Sequence, residues 1–272
     1  MKYAICMLIY NKPALFEKIV GKIISSNVEI FVHLDKKCNI KDYAYVNNVT
    51  FIKRRVNVHW GGRSMIDAMY NLIEYIVNET DCDYIIFISG QDFPITNPKN
   101  YDDYFNKKLN YIDYEILPKK SWYFGGISRI NHYYIFNSPL SFQSRFIIKV
   151  QKLLHIYRKY WRNNFIIYGG SQWININIDA AKYILSHWEA YYCFFRYCNI
   201  SDEMIFQTIL LNSPLKEFII NTNYRYIMYK ENALNPVYLD ESNIKSILNS
   251  RAIFCRKILD ENVFKKLELL MS

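Results

Sequence analysis

Tyr84-Ile85-Ile86-Phe87-Ile88-Ser89-Gly90-Gln91-Asp92-Phe93-Pro94 decides the fold of this chain. Its first six residues carry no charge and do not alternate in polarity, and the Gly-Gln-Asp-Phe-Pro that follows breaks the run. A strand apolar on every side chain has both faces covered, the condition of a parallel sheet between helix layers. Toward the N-terminus the same signature recurs at 3–10 and, shorter, at 29–34, with a third brief strand at 50–52. Between them the spacing predicts helices over 12–24 (Leu15, Ile19, Ile23) and 64–77 (Ile66, Met69, Leu72, Ile73, Ile76). Strands alternating with helices predict an α/β fold with a mostly parallel central sheet. Ligands of such sheets bind beyond the carboxyl ends of the strands, where Asp35 and Asp92 both fall.

The composition bounds the partners. The 272 residues suit one domain, and 51% hydrophobic against 22% charged residues excludes a disordered chain. A formal charge of +9 favours an anionic partner: nucleic acid, an acidic membrane surface or a phosphorylated substrate. No apolar run approaches the ~20 residues of a membrane span. Residues 3–10 read as a buried strand rather than a signal peptide, because only Lys2 precedes them and Asn11-Lys12-Pro13 stands where a small-residue cleavage site belongs. Six cysteines form no Cys-X-X-Cys pair, which argues against structural zinc and for reduced cytosolic thiols.

The second half is less regular. A basic amphipathic helix is expected over 142–163, with Phe146, Ile147, Val150, Leu153, Leu154, Tyr157 and Trp161 interleaved with Arg145, Lys149, Lys152, Arg158, Lys159 and Arg162. Such a helix suits an anionic bilayer; it suits equally a helix packed on the domain with solvated charges. A strand over 173–178 and helices over 180–192 and 262–271 follow, with Ser201 as N-cap of a helix opening on Asp202-Glu203. Asp81-Cys82-Asp83 matches Asp-X-Asp but precedes its strand, so a solvated turn is expected rather than a metal site.

No nucleophile elbow, zinc-protease, P-loop or dinucleotide fingerprint occurs. Four segments stand together instead: His33-Leu34-Asp35-Lys36-Lys37, Trp60-Gly61-Gly62-Arg63-Ser64, Phe87-Ile88-Ser89-Gly90-Gln91-Asp92-Phe93-Pro94-Ile95 and Tyr168-Gly169-Gly170-Ser171-Gln172-Trp173. Ser201-Asp202-Glu203 and Phe254-Cys255-Arg256-Lys257 follow downstream. This ordered set resembles the core-2/I-branching enzyme family, which includes branching N-acetylglucosaminyltransferases and peptide O-xylosyltransferases, over nearly the whole chain.

The resemblance implies a GT-A glycosyltransferase fold: a Rossmann-like, mostly parallel central sheet flanked by helices, with an irregular acceptor-side C-terminal half. A single domain over 1–272 is expected, with a nucleotide-sugar half at 1–100 and an acceptor-binding, catalytic half at 101–272. The implied reaction is inverting transfer from a UDP-sugar to a saccharide hydroxyl, with no divalent metal. By resemblance Glu203 is the base, although Asp202 and Glu203 equally suit a helix's first turn. Lys257 with Arg256 meets the diphosphate. The family's second cation aligns near Leu234, which cannot serve, leaving Arg251 or Lys230. Asp35 contacts the nucleoside, and Leu8 lines the uracil pocket. Trp60, Gly61 and Gly62 let backbone approach the donor, Arg63 and Ser64 cap the next helix, and Asp92 orients the donor sugar. Ser171, Gln172 and Trp173 lie on the acceptor side. For Asp35 and Asp92 a turn role, and for Leu8 and Trp173 a core role, stand beside these readings; His33 reads as a core histidine. The absence of a membrane span sets the chain apart from Golgi members and leads to a bacterial-type enzyme. It would be cytoplasmic or peripheral at the inner face of the membrane, building surface polysaccharide or lipid-linked oligosaccharide. A nucleic-acid-binding protein and a catalytically inactive sugar-nucleotide-binding relative are the alternatives, the first weakened by the spread of basic residues along the chain.

Overall fold

The computed structural model describes residues 1–10, 13–43, 48–229 and 235–270. Its first half runs β1 (Tyr3–Ile9), α1 (Pro13–Ile23), β2 (Val28–Leu34), β3 (Thr50–Phe51), α2 (Arg63–Glu79), β4 (Tyr84–Ser89) and β5 (Phe93–Pro94). Then come β6 (Asn110–Tyr111), β7 (Glu115–Ile116), α3 (Phe142–Leu153), β8 (Tyr168–Gly169), β9 (Asn175–Asn177) and α4 (Ile178–Phe195). The chain continues through α5 (Ile205–Leu211), β10 (Ile219–Ile220), β11 (Arg225–Ile227), α6 (Ile244–Leu248), β12 (Phe254–Arg256) and α7 (Glu261–Leu270).

Seven strands form the central sheet in the order β10-β6-β9-β4-β1-β2-β3. β1 pairs in parallel with β2 and β4, and β2 with β3; β9 alone runs against its neighbours. Every residue of β1 and β4 is buried. Ala4, Cys6 and Leu8 face a core built with α2, α4 and α5, whereas Tyr3, Ile5, Met7 and Ile9 face one built with α1, α6 and α7. The uniformly apolar strands thus have the doubly covered, mostly parallel setting their sequence demands. The register aligns Leu8 with both His33 and Ser89, so three strands end together and release Asp35 and the Gly90-Gln91-Asp92 turn on one rim.

The structure departs from the sequence pattern in four places, three of them in the second half. The helix expected to 163 ends at Leu153, because His155 adopts a left-handed φ of 53°. Arg158 then turns inward, donating to the Phe194 carbonyl (2.8 Å) and the Cys198 sulfur (3.0 Å). The strand expected over 173–178 shrinks to Asn175–Asn177, since Asn177 leaves it to cap α4, its side chain accepting from Ala180 N at 2.9 Å. Ser201 is no N-cap: it begins a short 3₁₀ turn entered through left-handed Ile200, and α5 starts only at Ile205. Ser64 does not cap α2 with its side chain. Asn137 Oδ1 accepts from the Ser64 N–H (2.9 Å), while the Ser64 hydroxyl accepts from His59 N.

That Asn137 cap explains Gly62. A Cβ at Gly62 would lie 1.8 Å from the Asn137 carbonyl oxygen, a backbone atom. Gly62→Ala is therefore expected to cost about 3 kcal/mol in chemical denaturation, by forcing apart the loop that caps α2.

Candidate functional site

A cavity of about 330 Å³ opens where β1, β2 and β4 end. Leu8 and Asp35 line it from the strand ends, Trp60 and Gly61 from the turn before α2, and Gln172 and Trp173 from the approach to β9. Glu203, Arg256 and Lys257 complete the wall. Segments separated by up to 249 positions thus converge, as the set of motifs leads one to expect. Four expected residues lie off this wall: Gly62, Asp92, Arg251, and Ser171, which lines a neighbouring cavity. Arg251 is exposed after α6. Lys230 and Leu234 lie outside the described residues.

Asp35 is held rigidly. One carboxylate oxygen accepts from Lys37 N (2.9 Å) and the other from Val58 N (3.3 Å), with Lys37 Nζ at 3.4 Å. It serves as a strand-end turn and as cavity wall together. His33 is a core histidine: its Nε2 accepts from Val56 N at 3.0 Å, and burial pushes its pKa down to about 4.

Arg256 is the principal cation of the wall. It is buried, its guanidinium stacks 4.0 Å over Trp173, and its Nε and Nη1 find no acceptor. Buried N–H groups without partners are costly unless a ligand completes them. Asp92, fully buried, accepts from the Ser89 N–H (2.7 Å) and stands 3.9 Å from Arg256 Nε. Asp92 thus has the turn-forming setting that stood beside the donor-orienting reading, and it faces the guanidinium. Trp173 likewise has one ring face taken by Arg256. Lys257 is half-buried, and desolvation followed by the neighbouring Arg256 charge lowers its ammonium below the usual lysine range.

A second cavity of about 340 Å³ adjoins the first and shares Glu203 and Tyr229 with it. Asp113, Lys119, Trp122, Arg129 and Ser171 line it. Arg129 donates to Glu203 Oε2 at 2.6 Å and lies 3.6 Å over the Trp122 ring, so the carboxylate is clamped in orientation. The Glu203 backbone is fixed too, its carbonyl accepting from Gly170 N at 2.8 Å. A Cβ on Gly170 would fall 1.8 Å from the Asp113 carbonyl, which accounts for a glycine there.

Asp202 beside it is buried and its Oδ1 has no partner. Burial first, then the Glu203 charge, raise its pKa well above the carboxylate range, so the neutral form is favoured in the fold. Because the native state then binds the extra proton, stability is full below the unfolded carboxylate pKa and falls as pH rises toward the folded one. Asp202→Asn is expected to remove that fall, so the variant's Tm gains on wild type between pH 5 and pH 8; parallel Tm curves would contradict it.

The Asp81-Cys82-Asp83 tripeptide lies at the opposite end of β4. Asp81 is ion-paired with Lys2, and Asp83 with Lys107 at 2.6 Å. Among the described residues no group of three or more His, Cys, Asp or Glu is arranged to hold a metal ion. The cysteines are free thiols. No described helix is long and apolar enough to cross a membrane. Arg129, Trp122 and Tyr229 escaped the sequence reading, and Lys37 was quoted in its segment without a role. Arg129 has no motif around it, and it follows a loop in which Phe124, Gly125 and Gly126 are all left-handed.

Strand ends of a mostly parallel sheet, a clamped carboxylate between two cavities and two adjacent cations on one wall make up the candidate site of this α/β protein. The chain belongs to the Core-2/I-branching enzyme family, whose model it matches over residues 26–248. It is 22% identical over 212 residues to a xylosyltransferase of Ciona intestinalis and 25% identical over 213 residues to the xylosyltransferase sqv-6 of Caenorhabditis briggsae. Each match covers 72% of this chain but only 23% and 24% of those proteins, so the chain spans about a quarter of their length. Among solved structures it is similar to the bifunctional glycosyltransferase WbbM in its apo form, with a TM-score of 0.47 and 10% identity, covering 100% of this chain and 50% of that one. The galactosyltransferase LgtC in complex with donor and acceptor sugar analogs gives 0.43 and 12%, covering 98% and 95%.

Proposed function

We propose that the chain is an inverting glycosyltransferase that moves a sugar from a UDP-sugar to a saccharide hydroxyl without a divalent metal. The observation that carries this reading is Glu203 on the wall common to two cavities, with Arg256 and Lys257 in one and Arg129 and Trp122 in the other. The nucleotide-sugar fits the cavity at the strand ends, with Asp35 accepting from uracil or ribose and the two cations facing the diphosphate. The acceptor fits the second cavity, its hydroxyl beside Glu203. That hydroxyl oxygen attacks the anomeric carbon, the bond from this carbon to the diphosphate oxygen breaks, and Glu203 takes the hydroxyl proton. Arg256 and Lys257 offset the charge growing on the departing diphosphate. Attack from the face opposite the leaving group inverts the anomeric centre. The relatives' name favours xylose as the donor sugar, with hexose and N-acetylhexosamine to be compared. Bacterial surface polysaccharide or a lipid-linked oligosaccharide is the acceptor class we favour.

A thermal-shift screen of UDP-xylose, UDP-N-acetylglucosamine, UDP-glucose and UDP-galactose tests this reading. One donor at a hundredfold excess over its Kd is expected to raise Tm by about 5 °C, unchanged by EDTA. Stabilisation that vanishes in EDTA would contradict metal independence, and no stabilisation by any donor would contradict the reading itself.

A further inference from the structure

We propose that the face formed by α3 and the loop after it, residues 142–162, docks on an anionic lipid bilayer. The helix is inverted relative to an ordinary amphipathic one. Its only buried residues, Ser144 and Gln151, are polar, and both are engaged inward: Ser144 donates to the Ser138 carbonyl (2.6 Å), and Gln151 Nε2 donates to the Tyr133 carbonyl (2.9 Å). Ile147, Ile148 and Val150 are half-buried, and the other large apolar side chains point out. Phe142 is 81% exposed, Leu153 78% and Trp161 65%, with Phe146 and Leu154 also exposed. Phe142, Phe146 and Leu153 recur at helical spacing on one face, and several large exposed apolar side chains within about twenty residues mark an interaction site.

Charge identifies the occupant. Between Glu115 and Asp179 there is no Asp or Glu but nine Lys and Arg; the remaining 25 Lys and Arg match the 25 Asp and Glu of the whole chain. The entire surplus of +9 therefore lies in this stretch. Arg145, Lys149, Lys152, Lys159 and Arg162 are exposed on and beside α3, and among the described residues none of them makes an ion pair. Bulky aliphatic and aromatic tips set among unpaired cations match a bilayer, where acyl chains take the tips and anionic headgroups the cations. A nucleic acid would use the cations but gain little from Leu153 and Leu154.

Docking is independent of the glycosyltransferase reading, and its test has no activity readout. The intact chain is floated with vesicles of phosphatidylcholine alone or with about 30% phosphatidylglycerol. Binding to the anionic vesicles at least tenfold tighter than to neutral ones is expected. Phe142→Ser with Leu153→Ser and Trp161→Ser, and separately Arg145→Gln with Lys149→Gln and Lys152→Gln, should each weaken it at least tenfold while Tm stays unchanged. In the wild type, brominated acyl chains should quench a fluorescence component that disappears in Trp161→Phe. Equal binding to both vesicles, no binding to either, undiminished binding by the apolar triple variant, or tighter binding to a random oligonucleotide than to the anionic vesicles would overturn the proposal.

Discussion

Glu203→Gln is expected to lower sugar transfer by about 10³-fold while UDP affinity stays within about twofold. The substitution keeps the shape and the contact with Arg129, which lies 2.6 Å from the carboxylate, but leaves no group to accept the acceptor's proton. Uridine and diphosphate meet other side chains, so binding of UDP by calorimetry should survive. Near-normal turnover in this variant would remove Glu203 from its role. A fall in both turnover and UDP affinity would instead point to a collapsed wall, since Gly170 N donates to the Glu203 carbonyl.

Lys257→Ala is expected to weaken UDP binding by about 10- to 100-fold, the worth of a charge-assisted contact to phosphate. Lys257 is a cleaner probe than Arg256, whose removal would also strip Trp173 of its stacked partner and buried Asp92 of its ion-pair partner. Two adjacent cations, one buried and one half-buried, repel each other, and an arriving diphosphate relieves that repulsion. Because burial and Arg256 lower the Lys257 pKa, UDP affinity should decline at alkaline pH earlier than an ordinary lysine would dictate. Lys257→Arg should retain most of the affinity. Unchanged UDP affinity in Lys257→Ala would contradict the assignment of this wall to the diphosphate.

The strands that build the cavity floor were legible because burial on both faces leaves no ambiguity. An uninterrupted run such as Tyr84–Ser89 has one stable setting in water, and the ends of such strands locate Asp35. Glu203 and Lys257 were reachable through ordered motifs alone, since neither periodicity nor composition distinguishes a wall carboxylate from a helix's first turn. The second half resisted reading because its elements are set by side chains answering to distant backbone. Asn137 caps α2 from 73 positions away, Asn177 ends its own strand, and Arg158 is drawn inward by the Phe194 carbonyl. The Asp92–Arg256–Trp173 stack joins three segments that no local pattern links, so the guanidinium beside Asp92 was not legible in the sequence.

Hydrolysis of a UDP-sugar in the absence of acceptor, followed by proton NMR from the first minutes, tests the central claim most directly. With water in the acceptor's place, an α-linked UDP-sugar should release the β anomer first, in EDTA as in its absence, and Glu203→Gln should release almost none. The α anomer appearing first, or equal rates in wild type and Glu203→Gln, would contradict the account.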